Sequence, residues 1–110
     1  MKLFVDDART SPERDYECAE DYEGAILLLR YMDIEFATLD YSLGDEHTGL
    51  DILKFMHENK KYPRHLNIHS DHSKGRVLMF DFAKNNFSEY VRITVNIPYG
   101  HTHQSSYISI

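Results

Sequence analysis

The sequence predicts an α/β domain: a short parallel sheet flanked by helices, with a β extension at the C-terminus. Three features predict it. Apolar runs at residues 2–5, 34–39 and 66–69 each end in polar side chains. Stretches with one-sided helical spacing separate them, as strand–helix–strand units require. Beyond residue 87 the pattern changes to strict alternation at Val91, Ile93, Val95 and Ile97, the mark of half-buried strands. At 110 residues, two domains would each be too small to bury a core. The chain therefore reads as one domain, with a core over 2–87 and a hairpin-like extension over 88–110.

Residues 2–5 form a β-favouring run that stops at Asp6-Asp7. Residues 8–15 read as loop, punctuated by Ser11-Pro12, and Tyr16 to Ala19 as a short strand. Asp21 is a fitting N-cap for a helix over 22–32, in which Tyr22, Ala25, Ile26, Leu29 and Met32 share one face. The run from Ile34 to Leu39 closes on Asp40. Residues 42–47 are a polar loop, and Thr48-Gly49-Leu50-Asp51 has the T-x-x-D form of a reciprocally capped helix start. That helix reaches Asn59, with Ile52, Leu53 and Met56 inward, and ends before Tyr62-Pro63. Leu66 to His69 is the next strand. Ser73 is the expected cap of a helix to Asn86 with Leu78, Met79, Phe82 and Ala83 inward. Pro98-Tyr99-Gly100 reads as a turn, and Tyr107 to Ile110 as extended.

Composition narrows the function. A chain that is 42% hydrophobic and 27% charged is globular rather than disordered. Its single cysteine, Cys18, excludes an internal disulfide and reads as a packing residue. No apolar run approaches the ~18 residues of a membrane span, and the N-terminal run is too short for a signal peptide. A reduced, cytoplasmic, soluble domain is the expectation. The net charge of −6 argues against membrane surfaces and duplex DNA as partners. Up to Asp51 the chain carries 14 of its 18 acids, whereas the remainder carries 8 of 12 bases and six of seven histidines.

In open parallel sheets ligands bind beyond the carboxyl ends of the strands. The residues closing those ends here are Asp6 and Asp7, then Asp40, then His69 and Ser70. If the first and third strands are neighbours, three carboxylates converge, and like charges so close require a counter-charge. A hard divalent cation, Mg²⁺ or Mn²⁺, held by Asp6, Asp7 and Asp40 is the expectation. Asp40 and His69 are the candidate catalytic residues, His69 because an imidazole changes charge near physiological pH. Ser70, Ser73, Lys74 and Arg76 are the candidate phosphate-binding residues, since a helix start with two cations suits an anion. His101-Thr102-His103 would ligate a metal only if extended, and that spacing is weak evidence.

These segments resemble a response-regulator receiver domain. Leu3-Phe4-Val5-Asp6-Asp7 is similar to its first strand, and Thr38-Leu39-Asp40 to its phosphoacceptor strand, with Ser70 at the position of its small hydroxyl residue. The resemblance covers residues 2–87 and implies a truncated receiver or flavodoxin-like fold. Two features differ. Residues 8–15 are too few for the first helix, so the second strand is expected to be displaced or absent from the sheet. Asn96-Ile97-Pro98 has no Lys where a receiver carries one.

Both differences suit a smaller family, the cyclic-phosphate processing receiver-like domains. Their patterns are a Leu-Phe-Leu-Asp-Asp-like strand, a Leu-Asp-His-Asp-Leu-Gly loop, Thr-Gly-x-Asp and His-Ser-x-Asn-x-x-Gly. This chain has Leu39-Asp40-Tyr41-Ser42-Leu43-Gly44, Thr48-Gly49-Leu50-Asp51 and His69-Ser70-Asp71-His72-Ser73-Lys74-Gly75 at the same spacing. Tyr41 and Ser42 replace the loop His and Asp, and His72 replaces the Asn. His47 is the candidate substitute. The resemblance implies metal-dependent processing of a cyclic phosphate, on a nucleotide or an RNA end. The alternative is a non-catalytic signalling or interaction module with Asp40 at the phosphoacceptor position. The alternating C-terminal strands would leave a sheet edge open to a homodimer.

Overall fold

The short strands pair into one six-stranded sheet. The computed structural model describes residues 1–8, 11, 14–87, 89–98 and 105–109, with Ile97, Pro98 and 105–109 as backbone. The elements run β1 (Lys2–Val5), β2 (Tyr16–Ala19), α1 (Tyr22–Tyr31), β3 (Phe36–Leu39), α2 (Gly49–Glu58), β4 (His65–His69), α3 (Ser73–Asn86), β5 (Arg92–Pro98) and β6 (Ser105–Ser109). The sheet order is β2-β1-β3-β4-β5-β6. The first five strands are parallel, and β6 joins β5 antiparallel. No described helix is long and apolar enough to cross a membrane. Pro12, Tyr99 and Gly100 of the expected turn, and His101 to His103 lie outside the described residues.

The second strand is neither displaced nor absent: β2 pairs with β1 from Lys2↔Tyr16 to Val5↔Ala19. The missing helix is not needed. A four-residue strand is only about 13 Å long, and residues 6–15 reach roughly 33 Å when extended. A connection of that length spans the distance back to the start of the neighbouring strand without needing a helix. Cys18 is exposed rather than packed, because β2 is the sheet's edge.

The remaining connections, β2–α1–β3, β3–α2–β4 and β4–α3–β5, all step the same way across the sheet. Right-handed crossovers therefore put all three helices on one face, where α2 contacts both α1 and α3. Toward them point two apolar rows, Leu3, Ala37, Leu66 and Ile93, then Val5, Leu39, Ile68 and Val95. With Ala25, Ile26, Leu29, Ile52, Leu53, Met56, Met79 and Ala83 they form the buried core. The opposite face carries the row Phe4, Thr38, Asn67 and Thr94.

The helix starts follow the sequence reading at two sites and depart from it at one. Asp21 Oδ1 accepts the Gly24 N–H at 2.8 Å, and Asp51 Oδ2 accepts the Thr48 N–H at 2.8 Å. On α3 the cap is His72, not Ser73: its Nδ1 accepts the Gly75 N–H at 2.9 Å. The Ser70 hydroxyl holds the His72 N–H at 3.1 Å, which shifts the helix start one residue earlier. Leu78 also faces outward, 41% exposed. The buried line of α3 is Gly75, Met79 and Ala83, and Leu78 lies about 100° off Met79 around the helix.

Candidate metal centre

The ends of β1 and β3 are in register, Val5 opposite Leu39, and the Asp40 N–H donates to the Val5 carbonyl at 2.9 Å. The chain therefore delivers Asp6 and Asp40 side by side. One oxygen each from Asp6, Asp7 and Asp40 lies within 4.8 Å of the others. Asp6 and Asp40 are buried, and Asp7 is exposed. The cluster gathers as strand order alone would dictate.

Neighbouring groups hold each carboxylate in place. Asp40 Oδ1 accepts the Tyr41 N–H at 2.7 Å. Burial pushes the Asp40 carboxyl above its ordinary range, the Ser70 hydroxyl bonded to it pulls it back, and the Asp6 charge raises it further. Asp6 Oδ1 accepts the Ala8 N–H at 2.9 Å, and Asp6 Oδ2 faces His69 Nε2 at 2.9 Å. Asp7 is bounded by the loop after β3. Gly44 has φ +76°, and a Cβ there would stand 2.7 Å from Asp7 Oδ2.

The donor set fits a hard cation. Three carboxylates without sulfur or imidazole suit an oxygen-loving divalent ion such as Mg²⁺ or Mn²⁺. The carboxyl of Asp40 is raised first by its burial and in smaller part by the neighbouring Asp6 charge, and a bound cation would offset both.

The other expected site residues divide. Ser70 is fully buried, linking Asp40 to the His72 N–H. Arg76 donates from Nη1 to the Ser70 carbonyl, so it is tied to the same corner. Ser73 and Lys74 are exposed on the first turn of α3. His47, the candidate substitute, stacks on Tyr22 with ring centres 4.1 Å apart. Tyr41 and His72, two of the three departures from the family pattern, stack on each other at 4.8 Å.

Sequence reasoning missed a polar row beside the cluster: Thr38, Asn67, Thr94 and Asn96, all buried. Its signal is present. β4 reads His-Leu-Asn-Ile-His and β5 Arg-Ile-Thr-Val-Asn, alternating where a sheet covered on both faces would be apolar throughout. That alternation is the mark of a parallel sheet with helices on one face only.

Five parallel strands with acids closing the first and third define a receiver-like α/β domain. A family model for the cyclic-phosphate processing receiver domain matches residues 1–85 of the 110. The chain belongs to that family. No curated protein matches it.

Proposed function

We propose that this domain processes a cyclic phosphate, on a nucleotide or an RNA end, with Mg²⁺ or Mn²⁺ held by Asp6, Asp7 and Asp40. The observation that carries the reading is the gathering of those three carboxylates in a chain of this family. A bound cation would supply positive charge to a phosphate oxygen and acidify a water. The protein's own groups do the rest. Ser70 and the Tyr41 amide orient Asp40, and Asp6 is oriented by His69 and the Ala8 amide. Lys74, Arg76 and the first-turn amides of α3 offer positive charge to the phosphate. Opening the ring by hydrolysis forms one P–O bond from water and breaks one ring P–O bond. A phosphomonoester remains, and the water's proton passes to the freed oxygen.

The test is incubation with 2′,3′- and 3′,5′-cyclic nucleotides and with RNA ending in a 2′,3′-cyclic phosphate, with Mg²⁺ or Mn²⁺, followed by ³¹P NMR. Metal-dependent appearance of a phosphomonoester is expected, abolished by EDTA. The second reading, a non-catalytic signalling module, is favoured by the position of Asp40 at the end of β3, the phosphoacceptor strand end of a receiver. No turnover on any substrate, together with an acyl-phosphate mimic bound at Asp40, would select it.

The proposed homodimer pairs through β6, which ends the sheet and leaves one strand edge for a second copy. Sedimentation at tens of micromolar is expected to give a dimer. A monomer at that concentration removes this part of the proposal.

A further inference from the structure

On the helix-free face of the sheet, a continuous hydrogen-bonded chain links His65, near the start of β4, to Asp6 in the acidic cluster. His65 Nε2 lies 2.8 Å from Thr94 Oγ1. Thr94 Oγ1 donates to Asn67 Oδ1 at 2.7 Å. Asn67 Nδ2 donates to Thr38 Oγ1 at 2.9 Å and also to Asn96 Oδ1. Thr38 Oγ1 lies 2.7 Å from His69 Nδ1, and His69 Nε2 lies 2.9 Å from Asp6 Oδ2. The His69 ring is also stacked on Phe4, nearly parallel at 6° with centres 5.1 Å apart.

Counting donors gives this chain a direction. A threonine hydroxyl has one proton. Thr94 spends its proton on Asn67 Oδ1, so His65 Nε2 must carry the proton it shares with Thr94. Thr38 Oγ1 accepts from Asn67 Nδ2, and His69 Nδ1, 2.7 Å away, is the acceptor placed for its own hydroxyl proton. An Nδ1 that accepts leaves the ring proton on Nε2, pointing at a carboxylate oxygen that can only accept. The His69 and Asp6 side chains are 6% and 0% exposed, so solvent offers no ready alternative. No buried side-chain N or O among the described residues lacks a partner. Every link from His65 to Asp6 therefore donates the same way.

We propose that Thr38, set by Asn67, is a positioning residue that locks His69 as an Nε2–H donor to Asp6. With both nitrogens committed and its ring clamped on Phe4, His69 orients a carboxylate and does not relay substrate protons. This replaces the acid–base role expected of His69. It rests on the proposed metal site only for its consequence, since orienting partners of ligand carboxylates tune metal affinity.

The test uses the full chain labelled with ¹⁵N-histidine, observed through long-range ¹H–¹⁵N correlation of the ring nitrogens. In the wild type, His69 is expected to show a protonated Nε2 and an accepting Nδ1, without any substitution that could disturb folding. A proton on His69 Nδ1 overturns the proposal. Thr38→Val, which keeps the side-chain shape, and Asn67→Leu are expected to shift the His69 signals toward a mixture of tautomers, and Thr38→Ser to restore them. A His69 spectrum indifferent to both substitutions also overturns it. Mg²⁺ affinity is expected to fall roughly 10- to 100-fold in Thr38→Val and to recover in Thr38→Ser. A wild type with the expected tautomer that binds no Mg²⁺ supports the lock and sinks the metal reading alone.

Discussion

Asp40→Asn is expected to make the metal-free protein more stable and to abolish its response to divalent cations. The first half follows from the buried carboxyl. Asp40 is 4% exposed, and burial together with the Asp6 charge holds its carboxyl above the ordinary value of 3.8. In the unfolded chain it ionises at that ordinary value. Below it both states are protonated and Asp40 costs nothing. As pH rises toward the raised value, the folded state retains a proton that the unfolded state has lost, so stability falls with pH. Above the raised value the cost is complete. Asparagine never ionises and keeps an acceptor oxygen for the Tyr41 N–H. The expected gain at neutral pH is about 1 kcal/mol, the usual scale of coupling between contacting groups, or about 5 °C in Tm.

The second half follows from the ligand count. A cation that binds only the folded state stabilises it by about 2.7 kcal/mol at a hundred times its Kd. Removing one of three converging carboxylates takes away a third of the site's negative charge and the buried ligand that β3 supplies. Thermal melts of wild type and Asp40→Asn, each in EDTA and in saturating Mg²⁺, give four numbers whose order is fixed. The variant melts higher in EDTA, and only the wild type gains from Mg²⁺. A variant less stable in EDTA would show that ionised Asp40 is a structural anchor. A variant still stabilised by Mg²⁺ would place the cation elsewhere.

The acidic cluster was legible in the sequence because parallel pairing of β1 with β3 leaves little choice about where Asp6 and Asp40 go. Asp21 and the Thr48–Asp51 pair were legible for a similar reason, since caps are local chemistry. What escaped depends on contacts distant in sequence. Ser73 looked like the better cap by propensity, but Ser70, fixed at the end of β4, draws the His72 amide into the turn. The Thr38–Asn67–Thr94 row joins three strands and exists only once their register is known. Asn67 alone, between Leu66 and Ile68, resembles an isolated polar residue in a strand. Tyr41 and His72 read separately as two losses from a family pattern, yet the fold stacks one on the other.

Gly49→Ala is expected to cause the largest loss of stability of any single methyl addition on α2. Gly49 follows the Thr48 cap, and its N–H donates to the Tyr41 carbonyl at 2.8 Å. A Cβ there would lie 2.2 Å from the Asp40 carbonyl oxygen and 2.7 Å from Met79 Cε. The methionine tip can swing aside, because its side chain is flexible. The carbonyl cannot, since it belongs to the backbone that carries Asp40 out of β3. Relief therefore requires α2 to withdraw from the sheet end, breaking the Gly49–Tyr41 bond and loosening the Ser42–Thr48 bridge. Overpacking of this kind costs about 3 kcal/mol, a Tm loss on the order of 10 °C or more. Gly24→Ala is the matched control. It also lies in the first turn of a helix, but the nearest atoms its Cβ would meet are the Asp21 side chain at 3.1 Å and Ala19 Cβ at 3.5 Å. Alanine's better helix propensity offsets that contact, so its Tm should stay within a few degrees. Two variants that melt alike would mean that α2 does not sit against the Asp40 carbonyl, and that the loop framing Asp7 and Asp40 is built differently. If Gly49→Ala alone collapses, the close approach of α2 to β3 is what holds Asp40 at the cluster.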